Sequence, residues 1–367
     1  MPSIAAVAPA LPPFAYPQER ITEVLTPMLL PAPERRALLR RLHAASGVRT
    51  RHLALPLERY ADLGSFTASN GEFIRVGTDL AVEAVEAALA QAGLAAADVD
   101  FLLFTTVTGV SAPSLDALLV SRLGMRPDVK RLPSFGLGCV AGAAGLARVA
   151  DYLVGHPDEV ALLVSVELCS LTLQHDDDSA ANLVASGLFG DGAAAVVMVG
   201  DGHPAAAAGG PGVVATRSRL YPGTEGELGW DVGSGGFRIV LSPALPEVLR
   251  SNLGADVEGF LADHDLKPGD VGTWVVHAGG PKVLDAVSGA LSLPEGALEL
   301  SWRSLERVGN LSSASVLHVL ADALAVRGGG GGAEGAEAVV LAVGPGVSVE
   351  LVLLRWPEAG AVAGVGS

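Results

Sequence analysis

The sequence is poor in charge, in cysteine and in aromatic side chains, and each shortage excludes a class of protein. Only 17% of the 367 residues are charged and half are hydrophobic, so the chain can bury a large core and is not intrinsically disordered. Two cysteines, Cys139 and Cys169, are too few for a disulfide framework and lack metal-site spacing. We therefore predict a reduced, cytoplasmic enzyme that holds no metal.

Basic residues are also scarce, since 24 Lys and Arg stand against 40 Asp and Glu, a formal net charge of −16. Such a surface repels phosphate backbones and anionic lipid headgroups, which disfavours nucleic-acid and membrane-surface roles. No stretch of 18 apolar residues is free of Gly, Pro and charge, so no membrane span is predicted.

The length suits two fused halves with short flanking segments. Residues 4–15 are apolar, but no basic residue precedes them and three prolines interrupt them. We therefore interpret residues 1–18 as a flexible N-terminal arm rather than a signal peptide. The halves are predicted at 19–215 and 216–356, and the Gly- and Ala-rich residues 357–367 predict a flexible tail.

Two distant stretches of the chain repeat one pattern. Residues 98–104 and 270–276 each begin with Asp and continue as a short apolar run. Each is followed by an amphipathic segment that begins with proline, at 113–119 and 281–287, as at the start of a helix.

The parallel continues further along both stretches. Gly138-Cys139 and Gly309-Asn310 each open an apolar, helix-like segment, and each segment is followed by another strand-like run. Two copies of strand, helix, helix and strand predict a duplicated α/β fold. His277 ends the first strand of the second copy, so pseudo-twofold symmetry would bring Cys139, His277 and Asn310 together.

These three residue types together suit acyl transfer through a thioester. A thiol at a helix N-terminus beside an imidazolium is expected to have a lowered pKa, which makes Cys139 a nucleophile. His277 and the amide of Asn310 could donate hydrogen bonds to a thioester or enolate oxygen. The alternatives are a buried structural cysteine, a core histidine and a helix N-cap asparagine.

Five motifs then identify a resemblance. They are Cys139, His277 with its Gly-Gly turn, the Gly-Asn-Leu-Ser-Ser stretch 309–313, Leu-Phe-Gly-Asp-Gly-Ala-Ala at 188–194, and Gly-Pro-Gly at 344–346. In this order and spacing they resemble the type III polyketide synthases, the relatives of chalcone and stilbene synthase. The resemblance implies a thiolase-like duplicated βαβαβ fold of five αβαβα layers in two pseudo-symmetric halves.

The resemblance also implies a reaction. Cys139 would take a starter acyl group from coenzyme A, and His277 and Asn310 would bind malonyl-CoA and promote its decarboxylation. The enzyme would be a homodimer that needs no cofactor, with an acyl-CoA starter and malonyl-CoA as substrates.

The same resemblance assigns substrate contacts to further residues. Phe189 and Phe237 match two gatekeeper phenylalanines, Ala112 replaces a Met that crosses from the dimer partner, and Val107 and Cys169 replace threonines of the plant enzymes. The predicted substrate-binding residues are Phe189, Phe237, Val107, Ala112, Cys169, Thr172, Ser312 and Arg41.

Smaller and more apolar cavity residues favour an aliphatic starter. Residues 166–172 resemble the bacterial branch, especially alkylpyrone and alkylresorcinol synthases, so we expect a medium- or long-chain fatty acyl starter. A run of arginines is expected to meet the CoA phosphates, with a solvated helix face as the alternative. This run comprises Arg35, Arg36, Arg40, Arg41, Arg49 and Arg51.

Three alternatives remain at this stage. A 3-ketoacyl-acyl-carrier-protein synthase of the fatty-acid priming type shares the fold and the three catalytic residue types, but usually lacks the Gly-Pro-Gly motif. A cysteine hydrolase would need a water-positioning acid beside His277. A non-catalytic scaffold would be expected to have lost one of the three residues, and none is lost.

Overall fold

We describe a computed structural model of the chain, which covers residues 1–30, 35–328 and 337–357. Its strands in chain order are β1 Ser3–Ala10, β2 Phe14–Pro17, β3 Thr50–Leu53, β4 Val99–Thr106, β5 Lys130–Phe135, β6 Val160–Leu168, β7 Asp191–Val199, β8 Gly212–Leu220, β9 Leu228–Gly233, β10 Gly236–Leu241, β11 Val271–Val276, β12 Glu337–Gly344 and β13 Ser348–Arg355. Its α-helices are α1 Gln18–Leu29, α2 Arg36–Ala44, α3 Phe66–Ala92, α4 Leu115–Leu123, α5 Ala141–Val154, α6 Ala180–Leu188, α7 Leu245–Ala262, α8 Pro281–Ala290, α9 Glu299–Val308 and α10 Ser313–Gly328.

The central sheet contains the same four-stranded arrangement twice. Its strand order is β11-β12-β13-β8-β1-β7-β6-β4-β5. In one half β4 runs parallel to β6, β6 antiparallel to β7, and β7 antiparallel to β1. In the other half β11, β12, β13 and β8 repeat these directions in the same order. The duplication predicted from the sequence is therefore confirmed.

Helices cover the outer side of each half of the sheet, and two further helices lie between the halves. The order of layers is therefore helix, sheet, helix, sheet, helix. The helix α3 packs on β1 and β7, α7 and α8 pack together beyond the second half, and α5 and α10 pack against each other in between. The middle core joins strands of both halves around these two helices. Small residues allow the close approach, since a Cβ on Gly142 of α5 would lie 2.3 Å from the backbone oxygen of Ser313.

The prediction of a flexible N-terminal arm is wrong. Residues Ser3–Ala10 form β1, which is mostly buried and pairs with β7 in the middle of the sheet. A strand buried on both faces is a continuous apolar run without alternation, and the prolines in this run make its sequence resemble that of an irregular segment. The predicted tail lies outside the described residues from 358 onward. Among the helices of the described ranges, none is long and apolar enough to cross a membrane.

Candidate active site

Cys139 lies in a tight turn at the start of α5, as predicted. A single 3-10 turn, Gly138–Val140, leads directly into the helix. Gly138 has φ +56°, and a Cβ there would lie 2.6 Å from Cγ of Pro345. The Gly-Pro-Gly motif therefore packs against the cysteine turn. For this reason position 138 has no room for a residue larger than glycine.

His277 follows β11 and is held by backbone contacts. Its N–H donates to the Leu341 oxygen of β12, and its own oxygen accepts the N–H of Gly279, both at 2.8 Å. The side chain is buried, and its Nδ1 has no hydrogen-bond partner. The ring packs on the Gly-Gly turn, since a Cβ on Gly279 would lie 3.3 Å from Nε2.

Asn310 is fixed by both its backbone and its side chain. It forms an isolated parallel bridge with Phe189. Its Oδ1 accepts the backbone N–H of Ser312 at 2.8 Å, so the oxygen is used just before α10. Its Nδ2 donates to the Gly279 oxygen at 3.2 Å and keeps a second hydrogen for another acceptor.

A chain of contacts brings the three predicted catalytic residues into one place. Gly279 connects the His277 ring to the Asn310 amide, and Ser312 connects Asn310 to Cys139. The Cys139 Sγ donates to the Ser312 Oγ at 3.6 Å. The first half thus supplies the thiol, and the second half supplies the imidazole and the amide.

The resting thiol is not the low-pKa thiolate expected from the sequence. Burial raises the pKa of Cys139 to about 12, the hydrogen bond with Ser312 lowers it, and the nearby Glu167 raises it further. Burial also lowers the pKa of His277 to about 4. At neutral pH the site therefore holds a neutral thiol and a neutral imidazole, because desolvation disfavours both charges.

Glu167 is a site residue that sequence reasoning missed. It is fully buried at the end of β6, and burial raises its pKa. One carboxyl oxygen accepts from the Val107 N–H and the Thr108 hydroxyl, and the other accepts from the Ser313 hydroxyl. The residue thereby connects the two halves, and its charge acts on the Cys139 thiol. An isolated glutamate in an apolar strand was the only signal in the sequence.

A small cavity of about 20 Å³ adjoins the cysteine. Five of the predicted residues line it, and the sequence did not predict Trp230 or Ile239 of the β9-β10 hairpin. The lining residues are Val107, Gly138, Cys139, Cys169, Phe189, Leu228, Gly229, Trp230, Ile239, Ser312 and Pro345. The wall is mainly apolar, as expected.

The prediction for Phe237 is not supported by its position. Phe237 is buried and packs against the rings of Phe66, Phe135 and Trp230. The residue of β10 that lines the cavity is Ile239, two positions later on the same strand face. The loop before β10 leaves the register of the β9-β10 hairpin open to a reader of the sequence. The sequence therefore predicts the aromatic Phe237, and not Ile239, as the cavity residue.

Other predicted contacts lie away from the cysteine cavity. Thr172 lines a second chamber behind Cys169. Ala112 is exposed on this single chain, and Arg41 is exposed on α2 and lines none of the cavities described here.

The predicted arginine patch is incomplete. Arg51 is 2% exposed, so it cannot meet CoA at the surface. Arg35 pairs with Asp178, and the Arg49 Nε lies 2.6 Å from Glu306. These partners neutralise part of the local positive charge, which weakens the case for a phosphate site.

Comparison with known families matches both halves of the chain. The model of the N-terminal domain of chalcone and stilbene synthases matches residues 2–202, and the model of their C-terminal domain matches residues 212–357.

Individual relatives are similar over most of their length. A 1,3,6,8-tetrahydroxynaphthalene synthase of Streptomyces peucetius subsp. caesius is 58% identical over 354 residues, which is 96% of this chain and 93% of that protein. The alpha-pyrone synthesis polyketide synthase-like Pks18 of Mycobacterium tuberculosis is 32% identical, over 88% of this chain and 83% of its own. The crystal structure of a tetrahydroxynaphthalene synthase from Streptomyces coelicolor superposes with a TM-score of 0.90 at 31% identity, covering 97% of this chain and 100% of the other.

Proposed function

Because this chain belongs to the chalcone and stilbene synthase family, the type III polyketide synthases, we propose that it builds a polyketide from malonyl-CoA on Cys139. The observation that carries the finer proposal is the 58% identity to a tetrahydroxynaphthalene synthase along almost the whole of both chains. We infer a product of the same class. Its ten ring carbons correspond to five two-carbon units, and we propose that malonyl-CoA supplies all five, as both starter and extender.

The first chemical step is transfer of the starter to the cysteine. His277 accepts the thiol proton as Cys139 attacks the thioester carbonyl, the carbon–sulfur bond to CoA breaks, and the CoA thiolate takes the proton back. Burial lowers the pKa of His277 to about 4, so the resting imidazole is unprotonated at neutral pH and has a nitrogen that can accept the proton, but the same burial makes it a weak base.

The second step is decarboxylative condensation. The bond between the malonyl carboxylate and its α-carbon breaks, CO₂ leaves, and the electron pair becomes an enolate. The Asn310 Nδ2 and the His277 ring N–H donate to the enolate oxygen, and the apolar cavity wall disfavours the departing carboxylate. The enolate carbon then attacks the acyl group, and the Cys139 thiolate is released.

A fatty acyl starter with an alkylpyrone or alkylresorcinol product is the second candidate. It is favoured by the apolar side chains of the second chamber, such as Leu25, Leu53 and Leu57, which could contact an alkyl chain. Similarity to the alpha-pyrone synthesis relative supports it at lower identity.

Product analysis separates these candidates. Purified enzyme would receive malonyl-CoA alone, then malonyl-CoA with each member of a starter series from acetyl-CoA to stearoyl-CoA. We expect the naphthalene product from malonyl-CoA alone, with little diversion by the starters. Alkylpyrones that form only with long starters would overturn the malonyl starter. A single condensation onto carrier-protein-bound malonate would instead indicate fatty-acid priming.

We also propose that two copies associate along β5. This strand ends the central sheet, and its neighbourhood exposes Leu132, Phe135 and Leu137 at 48%, 50% and 41%. An edge strand with exposed apolar side chains is well suited to pair with a second copy. Light scattering should give twice the monomer mass, and Leu132→Glu should shift the protein toward monomer. A wild-type monomer at micromolar concentration would contradict this proposal.

A further inference from the structure

The backbone of Asn310 is held by residues 188–190, a short segment that joins α6 to β7. The Asn310 N–H donates to the Leu188 oxygen, and the Asn310 oxygen accepts the Gly190 N–H, both at 2.9 Å. Phe189, which lines the cysteine cavity, lies at the centre of this pairing. The position of the Asn310 amide and that of the Phe189 ring therefore depend on the same 188–190 segment.

The side chain of Arg51, on β3, also contacts this segment. Its Nη1 donates to the Phe189 oxygen at 2.7 Å. Its aliphatic part packs beside Gly309, the residue before Asn310, since a Cβ on Gly309 would lie 3.3 Å from the Arg51 Cγ. Arg51 thus touches both sides of the backbone pairing that holds Asn310.

Gln18, the first residue of α1, fixes the guanidinium through a second donor. Its Oε1 accepts the Arg51 Nε–H at 2.9 Å, and its Nε2 donates to the Gly187 oxygen at 2.7 Å. Both side chains are buried, so water competes little for these hydrogen bonds. Because a planar guanidinium here meets two fixed acceptors, it has little freedom to move.

Packing alone does not require a cation at this place. The Arg51 Nη2 is closed to solvent and finds no hydrogen-bond partner among the described residues. Burial lowers the pKa of Arg51 to about 10, so the guanidinium still carries its charge at neutral pH. A buried charge with an unpaired donor is unfavourable, and an apolar side chain of similar volume would avoid that cost. The cost points to a role beyond filling space.

The proposed decarboxylation depends on accurate placement of the Asn310 amide. One Nδ2 hydrogen is used by the Gly279 oxygen, so a single hydrogen remains for the enolate oxygen. The Asn310 Oδ1 is held by the Ser312 N–H, so the amide cannot readjust freely if its backbone shifts. A misplacement of about 1 Å can cost about 100-fold in rate. Movement of the 188–190 segment would therefore weaken stabilisation of the enolate.

We propose that Arg51 is a positioning residue for Asn310. By holding the Phe189 oxygen it fixes the 188–190 segment, and through that segment the amide that donates to the enolate. This inference rests on the proposed function, in which Asn310 stabilises the enolate. Loading depends on a different turn, Gly138–Val140, and is therefore affected less.

A double-mutant cycle with Asn310→Ala tests the coupling. Arg51→Met removes the donors and keeps an unbranched side chain beside Gly309. In the wild-type background we expect it to lower malonyl-CoA decarboxylation about tenfold and to change adduct formation at Cys139 by less than about twofold. In the Asn310→Ala background, which lacks the amide, it should lower decarboxylation by less than about twofold. Arg51→Lys retains the charge and one donor, so it should recover part of the loss in the wild-type background.

Two further variants complete the test. Arg75→Met is the matched control, because Arg75 is exposed on α3 and pairs with Glu72. It should leave decarboxylation and adduct formation unchanged. Gln18→Met loosens the guanidinium without removing its charge, and it replaces Arg51→Met in the cycle if that variant does not fold. Its smaller loss of decarboxylation should also disappear in the Asn310→Ala background.

A merely structural arginine gives a different pattern. Arg51→Met would then lower decarboxylation equally in both backgrounds, or lower decarboxylation and adduct formation together, and either result would overturn the inference. Unchanged decarboxylation in folded Arg51→Met enzyme would overturn it as well.

The Asn310→Ala variant alone keeps this test separate from that of the proposed function. If it decarboxylates malonyl-CoA as fast as wild type, the proposed role of Asn310 is wrong and the inference about Arg51 fails with it. If it is slow while Arg51→Met has the same effect in both backgrounds, the role of Asn310 stands and only the inference about Arg51 fails.

Discussion

The Cys139 Sγ and the Ser312 Oγ lie 3.6 Å apart although 173 residues separate them in the chain. Each residue lies beside the N-terminus of a central helix, α5 in the first half and α10 in the second. The contact therefore exists because the two copies of the fold face each other. The proposed catalytic centre is built at this interface, with the proposed nucleophile on one side and the proposed oxyanion donors on the other.

Cys139→Ala should abolish starter loading and all products, because the cavity then lacks the sulfur that holds the chain. Intact-protein mass spectrometry after incubation with malonyl-CoA measures the adduct. Cys169→Ala should retain the adduct, since Cys169 lines the cavity without being the proposed nucleophile. Chain extension by Cys139→Ala would refute the assignment.

Asn310→Asp should impair decarboxylation more than loading. The aspartate keeps an acceptor for the Ser312 N–H but loses the Nδ2 donor and adds charge near the enolate. We expect malonyl-CoA decarboxylation to fall about 100- to 1,000-fold. Release of CO₂ and adduct formation, measured in parallel, separate the two steps. Equal losses in both would argue against this division of roles.

The pH dependence of alkylation tests the state of the resting thiol. With burial raising the pKa of Cys139 to about 12, the thiolate fraction should rise about tenfold per pH unit from pH 7 to 10. Peptide mapping after brief iodoacetamide treatment gives the rate at Cys139. A plateau already reached below pH 7 would instead show a thiolate–imidazolium pair.

Gly142→Ala should destabilise the protein, because its Cβ would lie 2.3 Å from the Ser313 backbone oxygen. Forcing α5 and α10 apart should cost about 1–3 kcal/mol and lower activity. Gly155→Ala, just after α5, is the control, since its Cβ would make only ordinary contact at 3.6 Å. Thermal unfolding of both variants measures the difference, and equal melting temperatures would contradict the tight packing.

The repeat in the sequence was sufficient to predict the duplicated fold and the meeting of Cys139, His277 and Asn310. Short apolar runs and helix starts recur in the same order in both halves, and topology then fixes where their ends meet. The central position of β1 was missed because pairing with β7 depends on a partner far along the chain.

Details that depend on burial and register were less predictable. From the sequence, a charged side chain such as Arg51 is predicted to lie at the surface, whereas the structure shows that it is buried. The choice between Phe237 and Ile239 depends on hairpin register, which the preceding glycine-rich loop leaves open. Desolvation by burial raises the pKa of Cys139. The position of the thiol at a helix N-terminus predicts a lowered pKa, because burial is not visible in the sequence.

The central claim is that a chain grows from malonyl units on Cys139. Its most direct test is rapid quenching of the enzyme with malonyl-CoA as the sole thioester, followed by mass spectrometry of the peptide that contains Cys139. The account predicts a ladder of adducts that increase by one two-carbon keto unit at a time. A single adduct that never lengthens, or a ladder attached to another residue, would contradict it.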